Sequence, residues 1–128
     1  MSTIGEVMST DLLTVEEDAT LVATAAAMDA RRVGAVLVVR DGRLVGILTE
    51  RDILRAAATG ELSGDVASWM TPHPETVEAS ETAAQAGVIM IHGGFRHLPV
   101  LDGTTPVGIV SIRDLMRNVL EDISPRGV

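Results

Sequence analysis

Cysteine is absent from this 128-residue chain, so neither a disulfide nor a thiolate metal site can contribute to its fold. Aromatic residues are almost absent as well: Trp69 and Phe95 stand alone, and there is no tyrosine. A platform that stacks the bases of single-stranded nucleic acid needs more aromatic faces than these. Basic residues are outnumbered, 10 against 18 acidic ones, for a net charge of −8. That balance argues against the contiguous basic surface that follows a phosphate backbone. It leaves room for a small anion, because a few arginines can dominate one pocket. Long hydrophobic runs are missing too: stretches such as Ala35–Val39 fall far short of the roughly 20 residues that a membrane-spanning helix needs. The opening, MSTIGEVMSTDLL, has neither the basic start nor the apolar stretch of a signal peptide, and the expectation is a soluble cytoplasmic protein.

What is present is one pattern written twice. Residues 7–54 and 69–116 superimpose without a gap at a constant offset of 62, with 12 identities in 48 positions. Met8 falls on Met70, Thr14-Val15-Glu16 on Thr76-Val77-Glu78, Val45-Gly46-Ile47 on Val107-Gly108-Ile109, and Arg51-Asp52 on Arg113-Asp114. A repeat of this length on its own would bury too little surface to be stable. The 46% hydrophobic content is enough for a core when the two copies fold together, with boundaries expected at 1–60 and 61–128.

Each copy reads strand-helix-strand-strand-helix. In the first, Ile4–Met8 reads as a turn and Leu12–Val15 as a short strand. An alanine-rich helix over 19–31 carries Leu21, Ala25 and Met28 on one face. Ala35–Val39 and Leu44–Leu48 are strands joined by the hairpin dipeptide Asp41-Gly42, and Glu50–Thr59 is a helix stopped at Gly60. In the second copy Ser80 is the expected N-cap of a helix through Ile91, halted by Gly93-Gly94. Strands follow at His97–Leu101 and Pro106–Val110, then a helix at Ile112–Ile123 and a frayed Ser124–Val128. Residues 60–68 read as a linker. Trp69 is expected to pack that linker on the core.

The densest shared stretch is GILTERD at 46–52 and GIVSIRD at 108–114. A hydroxyl that opens a helix with an acid three residues on describes a capping box, the bland reading of this pattern. Three points favour a site. A helix N-terminus with amides and a hydroxyl can hold an anion. An Asp one turn in can accept hydrogen bonds from a cis-diol. Both copies keep Gly, hydroxyl, Arg and Asp, while apolar neighbours such as Leu48 and Val110 differ.

With VMSTDLLTVEEDATL, RVGAVLVV and FRHLPVLD, the doubled pattern resembles a cystathionine-β-synthase (CBS) domain pair, or Bateman module, over Ile4 to Asp122. The resemblance implies an α+β fold of tandem βαββα repeats with pseudo-two-fold symmetry. It also implies two clefts for adenosine-containing ligands such as AMP, ADP, ATP or S-adenosylmethionine. In one cleft Thr49 and Asp52 would act with Val77, Phe95, Arg96 and His97. In the other, Ser111 and Asp114 would act with Thr10, Val15, Val33, Gly34 and Ala35. The Asp holds ribose hydroxyls in the family, and Arg96-His97 resembles a phosphate-binding pair. The Asp52 cleft is therefore expected to prefer phosphorylated nucleotides, and the Asp114 cleft a less charged ligand or none. Arg51 and Arg113 would add charge near the phosphates. The resemblance also implies a homodimer and an unidentified protein effector.

No other chemistry competes strongly. His73, His92 and His97 lack the spacing and further ligands of a zinc site. GIVSI lacks the glycine spacing of a nucleophile elbow, and there is no phosphate-binding glycine loop. The reading is a regulatory binding module that is not an enzyme, needs no cofactor, and takes an adenine nucleotide as regulatory ligand. The alternative is a structural or protein-interaction module with non-binding clefts.

Overall fold

The computed structural model describes residues 2–122. The expected fraying of Ser124–Val128 and the helix end at Ile123 lie outside them. In chain order the elements are α1 (Ile4–Val7), β1 (Thr14–Glu16), α2 (Leu21–Arg31), β2 (Ala35–Arg40), β3 (Arg43–Thr49), α3 (Glu50–Ala58), α4 (Val66–Trp69), β4 (Thr71–Pro72), β5 (Val77–Glu78), α5 (Ala83–Gly93), β6 (His97–Asp102), β7 (Thr105–Ser111) and α6 (Ile112–Asp122). The fold is mixed α+β, with a four-stranded sheet ordered β1-β2-β3-β4 and a three-stranded sheet ordered β5-β6-β7.

Local chemistry sets most of these elements. Thr20 caps α2, its hydroxyl accepting from the Ala23 amide at 3.1 Å. The helix ends at Arg32 in the left-handed region. Strands β1 and β2 run parallel, which requires the crossover that α2 supplies. Strands β2 and β3 are antiparallel and meet at Asp41 and Gly42, both at positive φ, the backbone that a two-residue hairpin needs. The second copy repeats this plan, including a bulge at the same place: Val38/Val39 in β2 and Val100/Leu101 in β6. The cap of α5 is Thr82, not the expected Ser80. Gln85 completes a reciprocal pair there, its side-chain oxygen accepting from the Thr82 amide at 2.7 Å while the Thr82 hydroxyl accepts from the Gln85 amide at 3.1 Å.

The chain divides into two compact units, 12–74 and 1–11 with 75–128. The sequence repeats and the structural units therefore cut the chain at different places. The turn expected at Ile4–Met8 is a short helix, and the linker expected at 60–68 runs into α4, with β4 following. Helix α1 belongs with β5–β7, and α4 with β1–β4. Three of the backbone bonds that hold each leader form equivalent sets at the 62-residue offset. Val66 donates to Ala19, Ala67 to Glu17, and Gly64 accepts from Leu21, all at 2.9–3.0 Å. Ile4 donates to Glu81, Gly5 to Ala79, and Ser2 accepts from Ala83, at 2.8–2.9 Å. Val66 and Ile4 are each fully buried in their unit's core, a burial that contributes about 1.5–3 kcal/mol per side chain. Sequence pattern missed these helices because each has four residues, too few for a periodicity to show.

One core is built on Leu21, Met28, Val36, Val38, Leu48, Ala56 and Val66, with Trp69 and Met70 packed at its edge. The other is built on Ile4, Val77, Ala86, Met90, Leu98, Val100, Val110 and Leu115, with Met8 at its edge. Trp69 thus packs where expected, and Met28 and Met90 are core residues. On α2 the buried face is Leu21, Thr24 and Met28, with Ala25 half-buried. The buried Thr24 hydroxyl has no hydrogen-bond partner among the described residues.

Candidate functional site

Strand β3 delivers Thr49 to the first turn of α3, and β7 delivers Ser111 to the first turn of α6. The glycine of each motif lies in the strand just before. At Gly46 an added Cβ would stand 3.1 Å from Met70 Cγ and from the Thr71 carbonyl oxygen; at Gly108 it would stand 3.0 Å from Met8 Cγ and 3.1 Å from the Ser9 carbonyl oxygen. Both methionines come from a leader segment, and the strand can accept that leader only where it has no side chain. Gly46 lies opposite Pro72 in the ladder, and Ser9 bridges Ile109 through bonds of 2.8 and 3.0 Å. The motif glycine is thus explained by packing.

The capping reading is realised in both copies. The Thr49 amide donates to Asp52 Oδ2 at 2.9 Å, the Thr49 hydroxyl donates to the same oxygen at 3.1 Å, and the Asp52 amide donates back to Thr49 Oγ1 at 3.4 Å. In the second copy the Ser111 amide donates to Asp114 Oδ2 at 2.8 Å, and the Asp114 amide to Ser111 Oγ at 3.0 Å. The first amide of each helix is engaged as well: Glu50 donates to the Gly34 carbonyl and Ile112 to the Arg96 carbonyl, each at 2.9 Å. The cap, first and third amides of each helix are thus engaged, which weakens these helix starts as anion holes and puts more weight on side chains for any anion's charge.

That leaves the Oδ1 oxygens. Asp52 is buried at 7% exposure, and its Oδ1 accepts from Arg55 Nη1 at 3.3 Å. Asp114 is half-buried, and its Oδ1 lies 3.7 Å from Arg117 Nη1. The Arg55 guanidinium also sits 5.8 Å from the centroid of the Trp69 ring. The equivalent of Trp69 in the other copy is Val7. The sequence reading missed Arg55 and Arg117. The signal was there at the same 62-residue offset, one residue beyond the aligned stretch.

The remaining candidates fall on both units. In the unit of β1–β4, Val15 and Val33 are half-buried, Ala35 is buried, and Gly34 faces the Glu50 carboxylate, whose Oε1 would stand 3.3 Å from an added Cβ. In the unit of β5–β7, Phe95 and Arg96 are exposed and His97 is half-buried opposite Ser111. Val77 is 2% exposed and packs in the core. Thr10 is exposed next to the Ser9 bridge, which brings it into the unit of Ser111 and Asp114. Arg51 and Arg113 are exposed. Among the described residues no group of three or more His, Asp or Glu side chains could hold a metal ion, and no helix is long and apolar enough to cross a membrane.

Two βαββα units with a duplicated hydroxyl-carboxylate motif define a tandem-domain protein. The particular family follows from comparison: the CBS domain model matches residues 4–59 and 64–121, and the chain belongs to the CBS-domain family. It is 33% identical over 126 residues to the CBS domain-containing protein YhcV of Bacillus subtilis, covering 97% of this chain and 90% of that one. Among solved structures it matches a CBS-domain protein of Burkholderia ambifaria MC40-6, assigned to signal transduction, at TM-score 0.90 and 29% identity over 99% of this chain and 100% of that one. Two more distant structures share the fold: CBSX2 of Arabidopsis thaliana in complex with AMP (TM-score 0.85, 23% identity, 94% and 98% covered), and the CBS domain pair of MJ0100 with 5′-methylthioadenosine and S-adenosyl-L-methionine (TM-score 0.91, 22% identity, 96% and 99% covered). The chain is a CBS-domain pair, the fold of a ligand-binding regulatory module, and no catalytic family is indicated.

Proposed function

We propose that this protein is a cytoplasmic regulatory module that senses an adenosine-containing nucleotide (AMP, ADP, ATP or S-adenosylmethionine) and does no chemistry on it. The observation that carries this reading is the duplicated motif, in which each buried or half-buried Asp is oriented by its own helix cap and turns Oδ1 toward an arginine. An acceptor fixed in this way suits a ribose diol. The same fold holds AMP in CBSX2 and S-adenosyl-L-methionine in MJ0100. One ligand would use Thr49 and Asp52 for ribose, Arg96 and His97 for phosphate, and the neighbourhood of Val77 and Phe95 for adenine. A second would use Ser111 and Asp114 with Thr10, Val15, Val33, Gly34 and Ala35. The Glu50 carboxylate beside Gly34 supports a less charged ligand for the second set. Arg51 and Arg113 supplement charge near the phosphates.

Isothermal titration with each nucleotide, beside an Asp52→Ala/Asp114→Ala variant, tests this. Binding that vanishes in the variant is expected; no heat from a folded protein free of co-purified nucleotide overturns it. A double-mutant cycle between Asp52 and Arg96 for AMP tests whether they serve one ligand, since independent losses would mean that they do not.

A homodimer is part of the proposal. Helix α6 exposes Ile112, Met116, Val119 and Leu120 at i, i+4, i+7 and i+8, and α5 exposes Val88 and Ile91 in the same unit. Leu120→Asp is expected to shift sedimentation toward monomer. The same exposed face, together with the completed helix caps, favours a second reading: an interaction module with non-binding clefts and a protein effector.

A further inference from the structure

Arg55 and Arg117 occupy equivalent positions, but their surroundings differ. Arg55 donates to Asp52 Oδ1 at 3.3 Å and lies over the Trp69 ring at 5.8 Å. Arg117 approaches Asp114 Oδ1 at 3.7 Å and has Val7 where Trp69 stands in the other copy. Asp52 Oδ2 already receives both the Thr49 amide and the Thr49 hydroxyl. A diol that donates two hydrogen bonds to this carboxylate must therefore reach Oδ1, and Arg55 stands on it. Asp114 Oδ2 receives only the Ser111 amide among these groups, and its Oδ1 has only the longer contact. The two carboxylates are thus unequally available although the sequence around them is repeated.

We infer that Arg55, held in place by Trp69, gates Asp52: it occupies Oδ1 and must give way when a ribose diol binds, whereas Asp114 is more open. Arg55 is a positioning residue that lowers diol affinity at the first motif and links its occupancy to the leader helix α4, where Trp69 sits. Stacking on the indole face favours the parked position because the ring quadrupole attracts the guanidinium. The inference rests on the nucleotide-sensing reading, and it ranks the two motifs by availability, with Asp114 first for an uncharged ribose ligand.

Adenosine is the probe, because it carries the diol and no phosphate for an arginine to bind. Titration is done calorimetrically in an Asp114→Ala background to isolate the first motif, and Trp69, the chain's single tryptophan, is followed by its emission. Removal of the guanidinium in Arg55→Ala is expected to tighten adenosine about threefold, the scale of one partly exposed ion pair. Trp69→Val, which copies the other unit, is expected to tighten it about twofold by loosening Arg55 without removing it. Emission is expected to change with adenosine when Arg55 is present and to stay constant in Arg55→Ala. A merely structural role for Arg55 would not produce that difference. Adenosine that binds equally or more weakly in Arg55→Ala, or an emission change that persists there, overturns the gate. No heat with adenosine in the parent and in Arg55→Ala alike overturns the gate, whereas no heat with AMP, ADP, ATP or S-adenosylmethionine in the protein with both motifs intact overturns the nucleotide-sensing reading.

Discussion

The unit of β1–β4 and the unit of β5–β7 agree in backbone almost residue for residue, yet differ where side chains leave the shared plan. Capped helices, the β-bulge, the leader bonds and the methionine against the motif glycine all recur at the 62-residue offset. Among the differences are Trp69 against Val7, Asp65 against Thr3, Thr24 against Ala86, and Glu50 against Ile112. What recurs is what the fold needs: caps, core positions and a bare strand position under the leader. Glu50 and Ile112 vary at an exposed helix start, whereas Thr24 and Ala86 vary inside the two cores. The apolar stripe on α6 has Glu50, Leu54, Ala57 and Ala58 as its counterparts on α3, so only one copy presents a broad apolar helix face.

Substitution of the motif glycines breaks the comparison most severely. Gly46→Ala and Gly108→Ala should each lose about 1–3 kcal/mol in denaturant unfolding, because the new Cβ meets the leader methionine and the adjoining backbone oxygen. Met70→Ala combined with Gly46→Ala should recover part of that loss. Simple additivity of the two would show that the methionine is not the obstacle. Next come the caps. Thr49→Ala and Ser111→Ala should each cost about 1 kcal/mol by thermal melting. A much larger loss for one of them would show that the two motifs are not structurally equivalent. Thr24→Val replaces a buried hydroxyl that has no partner among the described residues, and should stabilise the protein by up to about 1 kcal/mol, making the α2 core face apolar as that of α5 is. Destabilisation would mean that the hydroxyl is satisfied in solution.

The smallest effect concerns acid. Asp65 caps α4, and hydrogen bonds from the Ser68 hydroxyl and then the Ser68 amide hold its carboxyl below the ordinary aspartate value. Its folded-state value is lowered, so its contribution is complete above the unfolded value and is lost as pH falls through the folded one. Asp65 is exposed to water, so the effect is modest. Stability curves of wild type and Asp65→Asn should converge at low pH and part above it. Parallel curves across the acid range would remove Asp65 as their cause.

Much of this protein was legible before its structure. The duplication, the order of elements, the Asp41-Gly42 hairpin and the capping pairs are local or periodic features, and such features are written in neighbouring residues. Thr82 was passed over for Ser80 because both are capping types, and only the partner three residues on, Gln85 rather than Ala83, separates them. The motif was found as a pattern, but its state was not. Whether the amides were free and which carboxylate oxygen was taken depended on Gly34, Arg96, Arg55 and Arg117 reaching their places.

By itself, then, the sequence determined that two copies of one strand-helix-strand-strand-helix unit would form, and which residues would start and stop their helices. Hydrogen bonds between near neighbours and the hydrophobic period act before distant parts of the chain meet. Only the tertiary structure decided that each leader helix joins the core of the other repeat's strands, that Gly46 and Gly108 are bare because a methionine lies on them, and that Arg55 rather than Arg117 is held by a tryptophan. Each of these joins residues far apart in the chain or set by small differences in packing, and no local pattern specifies such pairs.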